Sequence, residues 1–167
     1  RALLGDGFTK VDAFIGQVMD ELKTLGIAEN TLFVAMADNG PMIHNPPPGL
    51  GMVETMFTGG KGDYTEGGVR VPAFAWWPGV IEANSIVGDI IHVTDLYTTF
   101  ARIGGATENI PNDRVMDGID QTSLLLNGDT YSRRDYVHIY TGLRLAATVK
   151  AQYKQDWTVT IPGMVTD

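Results

Sequence analysis

Thr31-Leu32-Phe33-Val34-Ala35-Met36-Ala37 runs for seven residues without a charge and stops abruptly at Asp38-Asn39-Gly40. A strand with one wet face alternates apolar and polar side chains. An unbroken run instead predicts a strand buried on both faces, as in a parallel sheet. Upstream, Val11, Phe14, Ile15, Val18, Met19, Leu22 and Leu25 recur at spacings of three and four, the stripe of an amphipathic helix. Gly26 follows its last apolar turn, where a left-handed cap ends a helix, and Asn30 closes the connection. Helix, short loop and buried strand make one α/β unit.

Downstream of the strand, Pro41 to Gly68 reads as a long loop with three prolines at Pro46–Pro48 and many glycines. Loops of that length inside a compact domain are usually functional or disordered. Val71 to Trp77 is a second buried-strand candidate, stopped by Pro78-Gly79. Asp95 to Ile103 predicts a helix with Thr94 as N-cap, Leu96, Phe100 and Ile103 on one face, and Gly104-Gly105 ending it. Tyr136–Tyr140, Leu145–Lys150 and Trp157–Ile161 are short strand-like runs between turns, the pattern of a small antiparallel sheet. The predicted class is α/β: residues 1–128 form part of the α/β core, and residues 129–167 begin a small antiparallel subdomain.

Composition narrows the function. A net charge of −8 and the lack of a basic patch argue against nucleic-acid binding through phosphates. No apolar run is long enough to span a bilayer. The absence of cysteine removes disulfides, thiolate metal sites and a cysteine-derived nucleophile from these residues. Arg1 to Phe8 has neither the pattern of a signal peptide nor that of a disordered tail, so the chain reads as one entered partway through a fold.

Three residues carry the candidate chemistry. Asp38 and Asn39 follow directly on the buried strand, at its carboxyl end, where open α/β sheets bind ligands. A carboxylate beside a carboxamide oxygen suits a hard divalent cation, although Asp-Asn-Gly is also a common tight turn. In Gly59-Gly60-Lys61-Gly62 the glycines permit close backbone approach and the lysine offers a point charge for an anion; a solvated loop lysine is the plainer reading. Glu66 and Arg70 are placed to pair and pin the loop to the second strand. His44, in the loop after Asp-Asn-Gly, is a candidate for the substrate entrance or a solvated side chain, and His92 and His138 read as structural.

The order of these motifs resembles the sulfatases of the alkaline phosphatase superfamily. It runs from Glu21-Leu22-Lys23-Thr24-Leu25-Gly26 through Asn30-Thr31-Leu32, Asp38-Asn39-Gly40 and Gly59–Gly62 to Glu66-Gly67-Gly68-Val69-Arg70-Val71-Pro72. Asp117-Gly118-Ile119-Asp120, followed by Leu124-Leu125 and Gly128, resembles the segment before that family's C-terminal sheet. The resemblance implies an alkaline phosphatase-like sandwich, with Asp38 and Asn39 as calcium ligands and Lys61 in contact with the sulfate group. It also implies hydrolysis of sulfate monoesters, small molecules or glycans, by a formylglycine hydrate that calcium orients. A periplasmic or secreted setting fits the same resemblance.

The formylglycine of that family arises in a Cys-x-Pro-x-Arg segment, or its serine counterpart, and neither occurs here. Two oxygen ligands also fall short of the six or more that calcium takes. The expectation is therefore a C-terminal fragment, inactive alone, completed by an N-terminal part or packed as a homo-oligomer. The rival readings are a phosphate or phosphonate ester hydrolase of the same superfamily, and a non-catalytic assembly module.

Overall fold

The structure, a computed structural model, describes residues 3–43, 55–128 and 131–158. His44 and the Pro46–Pro48 run lie outside the described residues. The chain divides into two compact units. The described residues up to Pro78, with Tyr140–Arg144 and Thr158, belong to the first, and Gly79–Ile139 with Leu145–Trp157 belong to the second.

In the first unit, α1 spans Leu3–Thr24. Its end follows from Gly26, whose φ of +67° is open to glycine at no steric cost. Gly26 N–H donates to the Lys23 carbonyl (3.0 Å) and Ile27 N–H reaches back to that of Leu22 (3.1 Å), the paired bonds of a Schellman cap. A short 3-10 turn, Ala28–Asn30, leads into β1, Phe33–Met36. A one-turn helix α2, Glu66–Val69, then precedes β2, Ala73–Trp76. The Trp77 indole N–H ties the end of this strand to the Glu29 carbonyl at 2.7 Å.

Both strands lie where the apolar runs predict them, but their direction differs. β1 and β2 pair antiparallel, Phe33 opposite Trp76 and Met36 opposite Ala73. Their side chains are half-buried or exposed, not enclosed on both faces as the unbroken run predicts. The physical reason is the path of the chain. No helix of crossover length occurs among the described residues between them, and Ala37 N–H already donates to the Pro72 carbonyl across the pair (3.2 Å).

In the second unit, α3 spans Asp95–Ile103 and α4 spans Thr122–Asn127. Gly105 (φ +68°) and Gly128 (φ +65°) follow them in the left-handed conformation. Thr94 is not a side-chain cap: it is helical in φ and ψ, and its hydroxyl meets the ring nitrogen Nδ1 of His92 at 2.8 Å. Nor is the buried face of α3 the apolar one. Asp95, Thr98 and Thr99 are buried, while Phe100 is 41% exposed. The second sheet has the order β3–β4–β5, with β3 Val137–Thr141, β4 Arg144–Lys150 and β5 Tyr153–Asp156. The third strand begins earlier than the predicted Trp157. The two-residue turn Ala151-Gln152 folds the chain straight back, so Lys150 faces Tyr153.

Candidate functional site

The strand tip supplies two oxygen-bearing side chains. β1 ends at Met36, and two residues later Asp38 is exposed while Asn39 is half-buried. The Asn39 amide nitrogen donates to the Gly40 carbonyl at 2.8 Å. That bond uses one amide N–H of Asn39 and restrains the amide plane, leaving the side-chain oxygen as an acceptor.

The Lys61 segment is a tight turn pressed against this tip. Asp63 N–H donates to the Gly60 carbonyl at 2.9 Å, closing a four-residue turn with Lys61 and Gly62 at its centre. Gly62 has φ +94°, as a type II turn requires at its third position. Lys61 N–H donates to the Pro41 carbonyl at 2.8 Å, three residues past Asp38. Gly40 N–H meets the Gly68 carbonyl at 2.9 Å, and Gly67 N–H meets that of Thr58 at 2.8 Å.

Glycines make this approach possible. A Cβ on Gly40 would lie 1.7 Å from the Gly67 carbonyl oxygen, and one on Gly67 would lie 2.0 Å from that of Gly59. A Cβ on Gly68 would strike the Asp63 and Gly60 carbonyl oxygens, at 2.2 and 2.5 Å. Three loop segments therefore stack backbone on backbone with no room for a methyl group. The Glu66–Arg70 pairing expected from the sequence is present at 3.8 Å, and the guanidinium also sits 4.8 Å over the Phe57 ring.

Asp38 and Asn39 thus lie on a segment bonded to the turn that carries Lys61, within the first unit. A calcium ion is hard and takes six to eight oxygens. Asp38 and Asn39 fit it as two donors, and among the described residues no group of three or more acidic or histidine side chains could hold a metal. Any such ion would draw its other ligands from elsewhere.

Sequence reasoning passed over Asp63. Its side chain is 9% exposed, and Oδ2 accepts the Gly60 N–H at 2.8 Å. The available signal was local: an Asp one place after a Lys-Gly pair is a turn-closing pattern. It also missed a polar cluster in the second unit. Asp95, fully buried, accepts the Ile119 N–H (2.8 Å), the His92 N–H (2.9 Å) and both Nε and Nη2 of Arg134, whose Nη2 also reaches the Asp117 carbonyl (2.7 Å). Burial alone would raise the Asp95 carboxyl, but the hydrogen bonds from Arg134 and the two amides outweigh it and hold the pKa below the usual carboxylate range. Burial and the Arg134 charge lower His92, against the opposing pull of Asp95 and Asp117. Asp95 and Arg134 are 39 residues apart, and no periodicity links them. His138 is held within its sheet, its Nδ1 2.9 Å from the Thr148 hydroxyl.

The family model described as Sulfatase matches residues 2–106. The chain is 35% identical over 161 residues to N-acetylgalactosamine-6-sulfatase of Mus musculus, spanning 96% of this chain and 30% of that protein. It is 36% identical over 146 residues to steryl-sulfatase of Rattus norvegicus, spanning 86% of this chain and 25% of that protein. Among solved structures it is similar to PsFucS1 sulfatase from Pseudoalteromonas sp., with a TM-score of 0.82 and 36% identity over 91% of this chain and 30% of that one. The chain thus spans about a third or less of the proteins it matches.

Proposed function

Since the chain belongs to the sulfatase family, we propose that it contributes Asp38, Asn39 and Lys61 to the site of a sulfate-ester hydrolase whose other catalytic groups lie outside these residues. The observation that carries this reading is the 2.8 Å bond from Lys61 N–H to the Pro41 carbonyl, which ties the lysine turn to the segment bearing the two oxygen donors.

In this reading Asp38 and Asn39 would be two of the ligands of a calcium ion, and the Asn39–Gly40 hydrogen bond would restrain the amide that offers its oxygen. Calcium, when bound, supplies positive charge to a sulfate oxygen and holds a formylglycine nucleophile contributed from elsewhere. Lys61 sits on an exposed turn, and its ammonium neutralises charge on the sulfuryl group being transferred. This stabilisation works by prior placement: the turn is already bonded on both sides before substrate arrives. The substrate is a sulfate monoester, on a small molecule or a glycan.

The test is hydrolysis of an aryl sulfate and an aryl phosphate by the full-length protein. Lys61→Ala should lower kcat/KM for the sulfate by about 10²–10³-fold, the usual loss when one fixed transition-state contact is removed. Wild-type turnover by Lys61→Ala would overturn the reading, and a preference for the phosphate would move the protein to the phosphoesterases of the superfamily.

A further inference from the structure

We infer that Asp63 is a positioning residue for Lys61, its carboxylate acting by fixing Gly60, the residue that precedes it. The inference deepens the proposed function and rests on its assignment of Lys61 to the transferred anion. The geometry is specific to one residue. Asp63 binds Gly60 twice, its N–H donating to the Gly60 carbonyl (2.9 Å) and its Oδ2 accepting the Gly60 N–H (2.8 Å). Lys61 N–H is taken by Pro41 (2.8 Å), so the Gly60–Lys61 peptide is held by its oxygen and by its nitrogen, from two different segments.

A carboxylate only 9% exposed is costly to bury unless its bonds repay the desolvation. A turn needs no such carboxylate: its 4-residue ring is closed by backbone alone, and Gly62 already supplies the positive φ. What the carboxylate adds is a second constraint on Gly60, at the root of the lysine stem. Lysine has four rotatable side-chain bonds and little directional preference of its own, so the direction of its first bond is what the protein can fix. A displacement of about 1 Å at a reacting group costs about 10²-fold in rate, so this control is sufficient to matter. The surrounding glycines act in the same direction. A Cβ on Gly59 would lie 1.9 Å from the Thr65 hydroxyl and 2.8 Å from Asp63 Oδ2, so the space that the carboxylate uses exists only because residue 59 lacks a side chain.

The experiment is a double-mutant cycle in the full-length protein: wild type, Lys61→Ala, Asp63→Ala and the double variant, with kcat/KM for an aryl sulfate and melting temperature measured for each. Asp63→Ala should lose about 10- to 100-fold in kcat/KM, and Asp63→Asn, which retains an acceptor for the Gly60 N–H, should recover most of it. In the Lys61→Ala background the Asp63→Ala change should cost nothing further, because the group it positions is gone. Full additivity of the two losses, or an unaffected Asp63→Ala enzyme, overturns the inference while leaving the role of Lys61 intact. A Lys61→Ala enzyme with wild-type turnover overturns both. Should Asp63→Ala fail to fold, Asp63→Glu carries the same cycle, since it keeps the charge and displaces the acceptor by one methylene.

Discussion

At Gly60 and Gly62, one residue on either side of Lys61, the same change to alanine meets two different costs. A Cβ on Gly60 would lie 2.4 Å from the Pro41 carbonyl oxygen and 2.7 Å from Ile43 Cγ1, so the turn must move off the strand tip. A Cβ on Gly62 meets nothing within 4 Å, and its cost is the φ of +94°. The two variants should lose similar stability, about 1–3 kcal/mol each, one by overpacking and the other by backbone strain. They should separate at the Lys61 amide, whose bond to Pro41 is broken only in Gly60→Ala. Hydrogen exchange at that amide checks this: fast exchange in Gly60→Ala with retained protection in Gly62→Ala is expected, and equal protection in both would refute the packing argument. The placement of Asp38 and Asn39 just past a strand and of Lys61 on a glycine turn was legible in the sequence, because each follows a recognisable apolar run or glycine pair. Asp63 was not, because its role lies in a hydrogen bond to a neighbour's backbone, and its type alone reads as a surface acid.

For the secondary elements, existence was easier to read than direction. The seven-residue apolar run locates β1, and Gly26 locates the end of α1, since both are local effects of side-chain burial and φ. Whether β2 runs parallel or antiparallel to β1 depends on the path of the chain between residues 37 and 72, which no periodicity records. The interior of α3 was misread for a related reason: its buried Asp95 is stabilised by Arg134, far along the chain, and not by its own apolar neighbours. The Arg134 side chain is 11% exposed and that of Asp95 fully buried, so Arg134→Ala should leave a buried carboxylate unpaired and destabilise by about 3–5 kcal/mol. Replacing both, as in Asp95→Asn with Arg134→Met, should cost less than the single change, and urea denaturation of the variants measures the difference. Acid should act on the same cluster in two stages. His92 is shifted below its ordinary 6.5, so the unfolded chain takes up its proton first and stability is lost as pH falls from about 6.5 toward the folded value. Asp95 is shifted below its ordinary 3.8, so its contribution is complete above that value and disappears as pH drops through the folded pKa. A melting temperature that stays level between neutral pH and 5 in His92→Asn, but declines in the wild type, is the expected result.

For the molecule as a whole, the distribution of apolar surface leaves a large uncovered stripe among the described residues. On α1 the sequence stripe divides along its length: Ile15, Val18, Met19 and Leu22 are half-buried, while Phe8 (68%), Val11 (56%) and Phe14 (65%) stand exposed, and Leu25 (60%) is exposed just past the helix end. β2 likewise leaves Phe74 45% exposed. The fully buried apolar side chains among the described residues include Leu124, Ala146 and Ala147 in the second unit but, in the first, only Ala28. A stripe of this kind gains about 1.5–3 kcal/mol for each large side chain moved out of water, enough to drive association when three lie on one helix and a fourth follows its end. The expected outcome is that the purified 167-residue chain does not behave as an ideal monomer. It should self-associate in light scattering coupled to size exclusion, and the double change Val11→Lys with Phe14→Lys should restore the monomer by placing charge on the exposed half of the stripe. A protein segment that covers this face should compete with self-association. A wild-type chain that stays monomeric at low and high concentration and melts cooperatively would show that the exposed stripe is tolerated as surface, and would remove the argument that another segment covers it.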